Sequence, residues 1–155
     1  MNIQERIEAL ETEFNERLKA LKLEVQGEKD FPQDGDEYWF LLSGGIIYDN
    51  FYTNSHVDNR RLEIGNVFKT EEQAEFALEK LKVEAELRKL GKHFENGKSN
   101  IEFYYDHEFD GIMFNSMKSS QTQGAIYFES EEKAKEAIKS VGEDRIKKYL
   151  FGVED

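Results

Sequence analysis

The chain has 155 residues, 38% apolar, 35% charged and 13% aromatic, and its 21 basic and 33 acidic side chains give a net charge of −12. It is long and aromatic enough to bury a core, and too acidic to be drawn to a phosphate backbone, which is bound through lysines and arginines that displace counterions. The absence of cysteine excludes disulfides, a thiolate nucleophile and a cysteine-based zinc site, and no apolar run approaches the roughly 18–20 residues of a membrane span.

The first predicted element is a helix. Asn2 caps it and Glu5 stands at the third helical position. Ile3, Ile7, Leu10, Phe14, Leu18, Leu21 and Val25 then recur at steps of 4, 3, 4, 4, 3 and 4, which is one apolar stripe. Arg17 sits where a strict heptad needs an apolar residue, so the stripe drifts as in an ordinary helix. Two outcomes stay open. The stripe docks on its own domain, or Ile3, Ile7, Leu10, Phe14, Leu18 and Leu21 pair with a second copy, as a homodimer, or with another partner. Residues 27–36, with the chain's single proline at Pro32, read as a linker.

Glu37 to Leu42 is a predicted strand, Ser43-Gly44-Gly45 a turn and Ile46 to Tyr48 the returning strand. Asn50 to Arg61 reads as a polar loop and Leu62 to Lys69 as a third strand. Thr70 caps a helix, with Gln73 completing a capping box and Glu71 and Glu72 in the first turn. Ala74, Ala77, Leu78, Leu81, Ala85 and Leu90 are its expected apolar face, and Gly91 its stop. The same grammar then returns. Asn100 to Asp106 and Ile112 to Phe114 are strands around a turn, Ser116 to Gln123 is a loop, and Gly124 to Glu129 is a third strand. Ser130 caps a helix carrying Ala134, Ala137, Ile138 and Val141, Gly142 ends it, and Glu143 to Phe151 is a last short helix. Phe68 and Phe128, sixty residues apart, open stretches that run in register.

An internal repeat of this kind sets the expected architecture. It is an α+β fold: an N-terminal amphipathic helix (1–26), a linker (27–36), two tandem βββα repeats with antiparallel sheets (37–92 and 99–155) and a short C-terminal helix. The repeats share one core.

Chemistry-bearing residues are sparse. Asp106-His107-Glu108-Phe109-Asp110 has metal-ligand types, but all fall in one hairpin turn, where Asp and His serve turn geometry. His56-Val57-Asp58 lies in a polar stretch and reads the same way. Gly44-Gly45 is no phosphate cradle, because neither the lysine nor the following helix is there. No catalytic, cofactor or metal residues are assigned, and an enzyme is not expected. Strand alternation places Tyr104 beside Glu102 and Asp106, with Trp39 and Tyr127 facing away from their apolar neighbours. Trp39, Glu102, Tyr104, Asp106, Glu108, Asp110 and Tyr127 are therefore the candidate partner-binding set, since Trp and Tyr anchor interfaces. The bland alternative is that this face is buried within the chain, and the acids merely keep it in solution.

The run from Arg61 to Glu75, with Tyr38-Trp39-Phe40 upstream, resembles small acidic proteins of phages and prophages of Gram-positive bacteria that carry a GNVF-x-T-x-E-x-A segment. The resemblance covers roughly residues 37–90, echoed more loosely at 100–150. It implies a protein of the bacterial cytoplasm, and inhibitors of host immune nucleases, anti-CRISPR proteins among them, are prominent in that class. The expected function is then occlusion of a basic, nucleic-acid-binding surface of a Cas or other defence nuclease, with carboxylates standing where phosphates sit. Assembly through the N-terminal helix and sequestration of a small nucleotide between the repeats are the alternatives.

Overall fold

The computed structural model describes residues 2–27 and 30–154; the side chains of residues 23–27, and with them the expectation for Val25, lie outside the described set. In chain order the elements are α1 (Ile3–Gly27), β1 (Glu37–Leu42), β2 (Ile46–Phe51), α2 (His56–Glu63), α3 (Glu71–Leu90), β3 (Asn100–Asp106), β4 (Gly111–Met117), α4 (Glu131–Val141) and α5 (Glu143–Phe151). The fold is α+β, with two separate antiparallel two-stranded sheets, β1–β2 and β3–β4.

Local chemistry explains the elements. The Asn2 side chain accepts from the Glu5 N–H, and the Glu5 carboxylate accepts from the Asn2 N–H, both at 2.8 Å, closing a capping box. Thr70 and Ser130 cap α3 and α4 by accepting from the N–H groups of Gln73 and Lys133. Gln73 reaches past the cap, taking the N–H of Lys69 rather than that of Thr70. Gly44 and Gly45 take positive φ in the hairpin turn, where a side chain would be strained. Gly91 ends α3 for another reason. Its φ is an ordinary −85°, but a Cβ there would lie 2.8 Å from both Ile126 and the Tyr127 carbonyl. Glycine at this position permits the backbone of 126–127 to approach.

The expected third strands are not strands. Residues 56–63 form α2, because Ser55 and Asp58 make a complete capping box and nucleate a helix inside the supposed polar loop. What remains of the strand is one residue, Phe68, which exchanges two backbone hydrogen bonds of 2.9 Å with Trp39. At the next position of the ladder the Asn66 side chain takes over, accepting from the Leu41 N–H and donating to its carbonyl. A side-chain amide thus does the work of a strand backbone, so the βββα repeats are replaced by hairpins with a single added bridge. The second half behaves alike: Phe128 bridges Ile101, and Tyr127 bridges Lys92 on the other side.

The larger core is built from both halves, and the first sheet adds a smaller one. The larger cluster joins Val83 and Leu87 of α3 to Ile101, Phe128, Ala134, Ala137, Ile138, Val141 and Ile146. Burying each large aliphatic side chain among these contributes roughly 1.5–3 kcal/mol. The helix of the first half therefore packs into the second. Arg145 of α5 reinforces this, placing both guanidinium N–H groups on the Glu86 carboxylate at 3.1–3.2 Å. The first sheet keeps a small cluster of its own, Tyr38, Phe40 and Tyr52, with Phe31 and Val67 packed against it. Part of the expected linker is thereby docked: Gly35 and Asp36 also exchange backbone hydrogen bonds with Tyr52. The apolar face of α3 is rotated from expectation in its C-terminal half. Ala74, Ala77 and Leu78 turn inward as expected, but further along Leu81, Ala85 and Leu90 are exposed while Val83 and Leu87 are buried, because α3 packs on α4 and α5 as well as on the preceding hairpin.

Helix α1 stands apart. Every described side chain along it is exposed, including Ile3 at 76%, Leu10 at 65% and Phe14 at 66%. None of the described side chains of α1 docks onto the domain, one of the two expected outcomes. No helix among the described residues is long and apolar enough to cross a membrane.

Candidate functional site

Strand alternation in β3 divides its side chains between two environments. Ile101, Phe103 and Tyr105 turn inward. Phe103 stacks on Phe128 and, with Tyr105, meets Phe151 of α5. Glu102, Tyr104 and Asp106 take the other face, where Tyr104 sits opposite Met113 and Glu102 opposite Asn115 on β4. Tyr104 is 43% exposed and Met113 39%, an apolar pair open to solvent with carboxylates at both ends.

The hairpin tip extends this face. The Asp106 carboxylate accepts from the backbone N–H groups of Glu108 and Phe109, which folds the turn. Asp110 adopts a positive φ and its carboxylate accepts from the Tyr105 hydroxyl. Glu108 and Phe109 are left projecting, Phe109 largely exposed. On the opposite border Glu102 accepts from the Thr122 hydroxyl at 3.3 Å. His107 packs edge-on against Tyr105. Among the described residues no group of three or more His, Asp and Glu side chains is arranged to hold a metal ion.

The candidate set is thus brought together only in part. Glu102, Tyr104 and Asp106 share one strand face with Glu108 at the tip beyond it, whereas Asp110 turns to the Tyr105 hydroxyl of the other face. Tyr127 does not join it: the ring is buried against Phe94, and its hydroxyl accepts from the Thr122 N–H at 2.7 Å. Its backbone bridge to Lys92, and that of the next residue, Phe128, to Ile101, fix that inward position. Trp39 belongs to the other sheet and is half-buried, held by its pairing with Phe68. A groove of about 600 Å³ runs between the end of α3 and residues 121–127, lined by Arg88, Lys92, His93 and Tyr127. A second groove, of about 670 Å³ and lined by Phe76, Leu78, Lys148 and Tyr149, also borders both halves, where a small nucleotide is the alternative ligand. In the first groove Lys92 is engaged by Glu95 at 3.7 Å and by the Ser99 carbonyl, and Arg88 lies 3.9 Å from Glu84.

Sequence reasoning missed a buried polar centre. Asp58 is 1% exposed and accepts from the Tyr38 hydroxyl at 2.6 Å, from both the N–H and the hydroxyl of Thr53, and from the Ser55 N–H. Arg61 donates to the Tyr38 hydroxyl at 2.7 Å and lies flat over the Phe40 ring. Burial alone would raise the Asp58 pKa, but the hydrogen bonds from Tyr38, Thr53 and Ser55 outweigh it and hold the carboxyl well below the usual carboxylate range. Burial, followed by the Asp58 contact, pushes the Tyr38 phenol up. The signal that could have found it is Ser55-x-x-Asp58, a capping box spelled with aspartate. Asn100, also buried, is a second such centre; its side chain accepts from the Glu95 N–H and donates to the carbonyls of Glu95, Lys98 and Met117. Both centres are internally satisfied and serve the fold.

Comparison with protein-family models, curated proteins and solved structures yields no match.

Proposed function

We propose that the protein is a non-catalytic binding protein of phage type. Its outer β3–β4 face occupies a basic, nucleic-acid-binding surface of another protein, with a host defence nuclease as the target class. The observation that carries this is the Tyr104–Met113 pair, exposed on the outer strand face and bordered by Glu102 and Asp106, with Glu108 and Phe109 at the hairpin tip beyond it. An aromatic anchor surrounded by charge of one sign is the composition of a protein interface with a complementary partner. The shared order of hairpin, single bridge and capped helix also supports reading the two halves as copies of one βββα unit whose third strand has shrunk.

The test uses charge reversal where the acids are not needed for the turn. Glu102→Lys with Glu108→Lys spares Asp106 and Asp110. The parent protein, immobilised, should capture a basic protein from bacterial lysate at low ionic strength and release it at high. The double variant should bind that protein at least about ten-fold more weakly. Unchanged binding by the double variant, or direct binding of DNA by the parent, would remove the proposal.

A further inference from the structure

We propose that α1 pairs with α1 of a second copy, antiparallel, about a twofold axis at Phe14. The inference stands on α1 alone. The stripe is exposed from Ile3 to Leu21, so the occupant of this stretch lies outside the chain. Three features identify a second copy.

The first is spacing. The steps 4, 3, 4 from Ile3 to Phe14 recur from Phe14 to Val25. An 11-residue repeat of about 3.67 residues per turn lies close to the helix's own 3.6, so the stripe drifts only slowly and a gentle right-handed supercoil keeps it on a paired seam. The second is symmetry. The steps read the same from either end, and Phe14 is the midpoint. A twofold interface brings one surface patch against itself. Setting Phe14 on Phe14 brings Leu10 onto Leu18 and Ile7 onto Leu21 of the second copy.

The third is charge. Residues 3–13 hold four acids and one base, a net −3; residues 15–25 hold two acids and three bases, a net +1. Antiparallel pairing sets unlike halves together, whereas parallel pairing sets −3 beside −3. On the two flanks of the seam, helical geometry brings Glu8 within about one 3 Å step of Lys22, and Glu13 equally near Arg17 of the other helix. Arg17 already meets Glu13 of its own helix at 2.7 Å, and its fork can bridge both. A membrane surface is a poorer occupant, since interfacial helices carry Lys and Arg on the polar face. Here the polar face is rich in glutamate.

Sedimentation equilibrium of the full chain should give twice 18.2 kDa at high concentration. Phe14→Asp should raise the dissociation constant at least about 100-fold while leaving the thermal transition of the body in place. The cysteine-free sequence permits an orientation test. Phe14→Cys should cross-link to itself. Ile7→Cys should not, because its two copies lie about 21 Å apart, but it should cross-link to Leu21→Cys in a mixture. A monomer at every concentration, a Phe14→Asp dimer, or self-cross-linking of Ile7→Cys would overturn the proposal. So would a monomer that sediments with anionic vesicles.

Discussion

Asp58 shows how one residue organises a small lobe. The β1–β2 sheet has only Tyr38, Phe40 and Tyr52 as a buried cluster, so its geometry depends on polar contacts as much as on area. Asp58 caps α2, holds the Thr53–Ser55 turn and receives the Tyr38 hydroxyl. Asp58→Ala leaves Tyr38 without an acceptor in a buried setting and removes a helix cap. The expected loss is about 3 kcal/mol, read from urea unfolding. The pH dependence has a definite sign. The folded pKa of Asp58 lies below that of the unfolded chain, so its contribution is present above about pH 4 and lost as pH falls. Asp58→Asn should therefore flatten the acid side of the stability curve; a slope identical to the parent's would mean that Asp58 is not the group responsible. Gly91 makes a second residue-scale case. Gly91→Ala drives a methyl into Ile126 and the Tyr127 carbonyl, so it should cost about 1–3 kcal/mol although φ there suits any residue. A neutral result would show that the 126–127 segment can give way.

At the scale of elements, the sequence was legible where signals are local. The bounds of β1, β3, α4 and α5 match their strand patterns, caps and glycine stops, because those features act within a few residues. Residues 56–69 depart from expectation because aspartate stands in the capping box where glutamate is usual, and because Asn66 substitutes for a strand backbone from its side chain. The buried face of the C-terminal half of α3 departs from expectation because tertiary contact chooses it: Val83 and Leu87 join the cluster of the second half, and no spacing rule within α3 separates these from Leu81 and Leu90. Likewise Tyr127 alternates correctly for an exposed strand residue, but a strand of one bridge imposes no alternation. The face assignment is directly testable. Leu87→Ala should cost about 2–5 kcal/mol, whereas Leu81→Ala should fall within about 0.5 kcal/mol of the parent. Equal effects in thermal unfolding would return the helix to the face expected from spacing.

For the whole molecule, the consequence of an undocked α1 is that stability and assembly separate. The body unfolds from the clusters around Phe128 and Tyr38, and no described side chain of α1 is buried against either. Removing residues 1–27 should therefore leave the thermal transition of the body within about 2 °C, less than the shift expected from losing about 1 kcal/mol in a chain of this size. The helix itself obeys different rules. A solitary helix of 25 residues is marginal in water, helped here by its capping box and the Glu13–Arg17 pair. If a second copy covers the stripe, association and helix formation are coupled, and helicity must rise with concentration. The full chain should then gain far-UV helical signal per residue on concentration, while the truncated chain should not, and the body's transition should stay fixed in both. A truncated chain that melts several degrees lower would mean that residues 1–27 brace the body after all, and concentration-independent helicity would mean that α1 holds its shape alone.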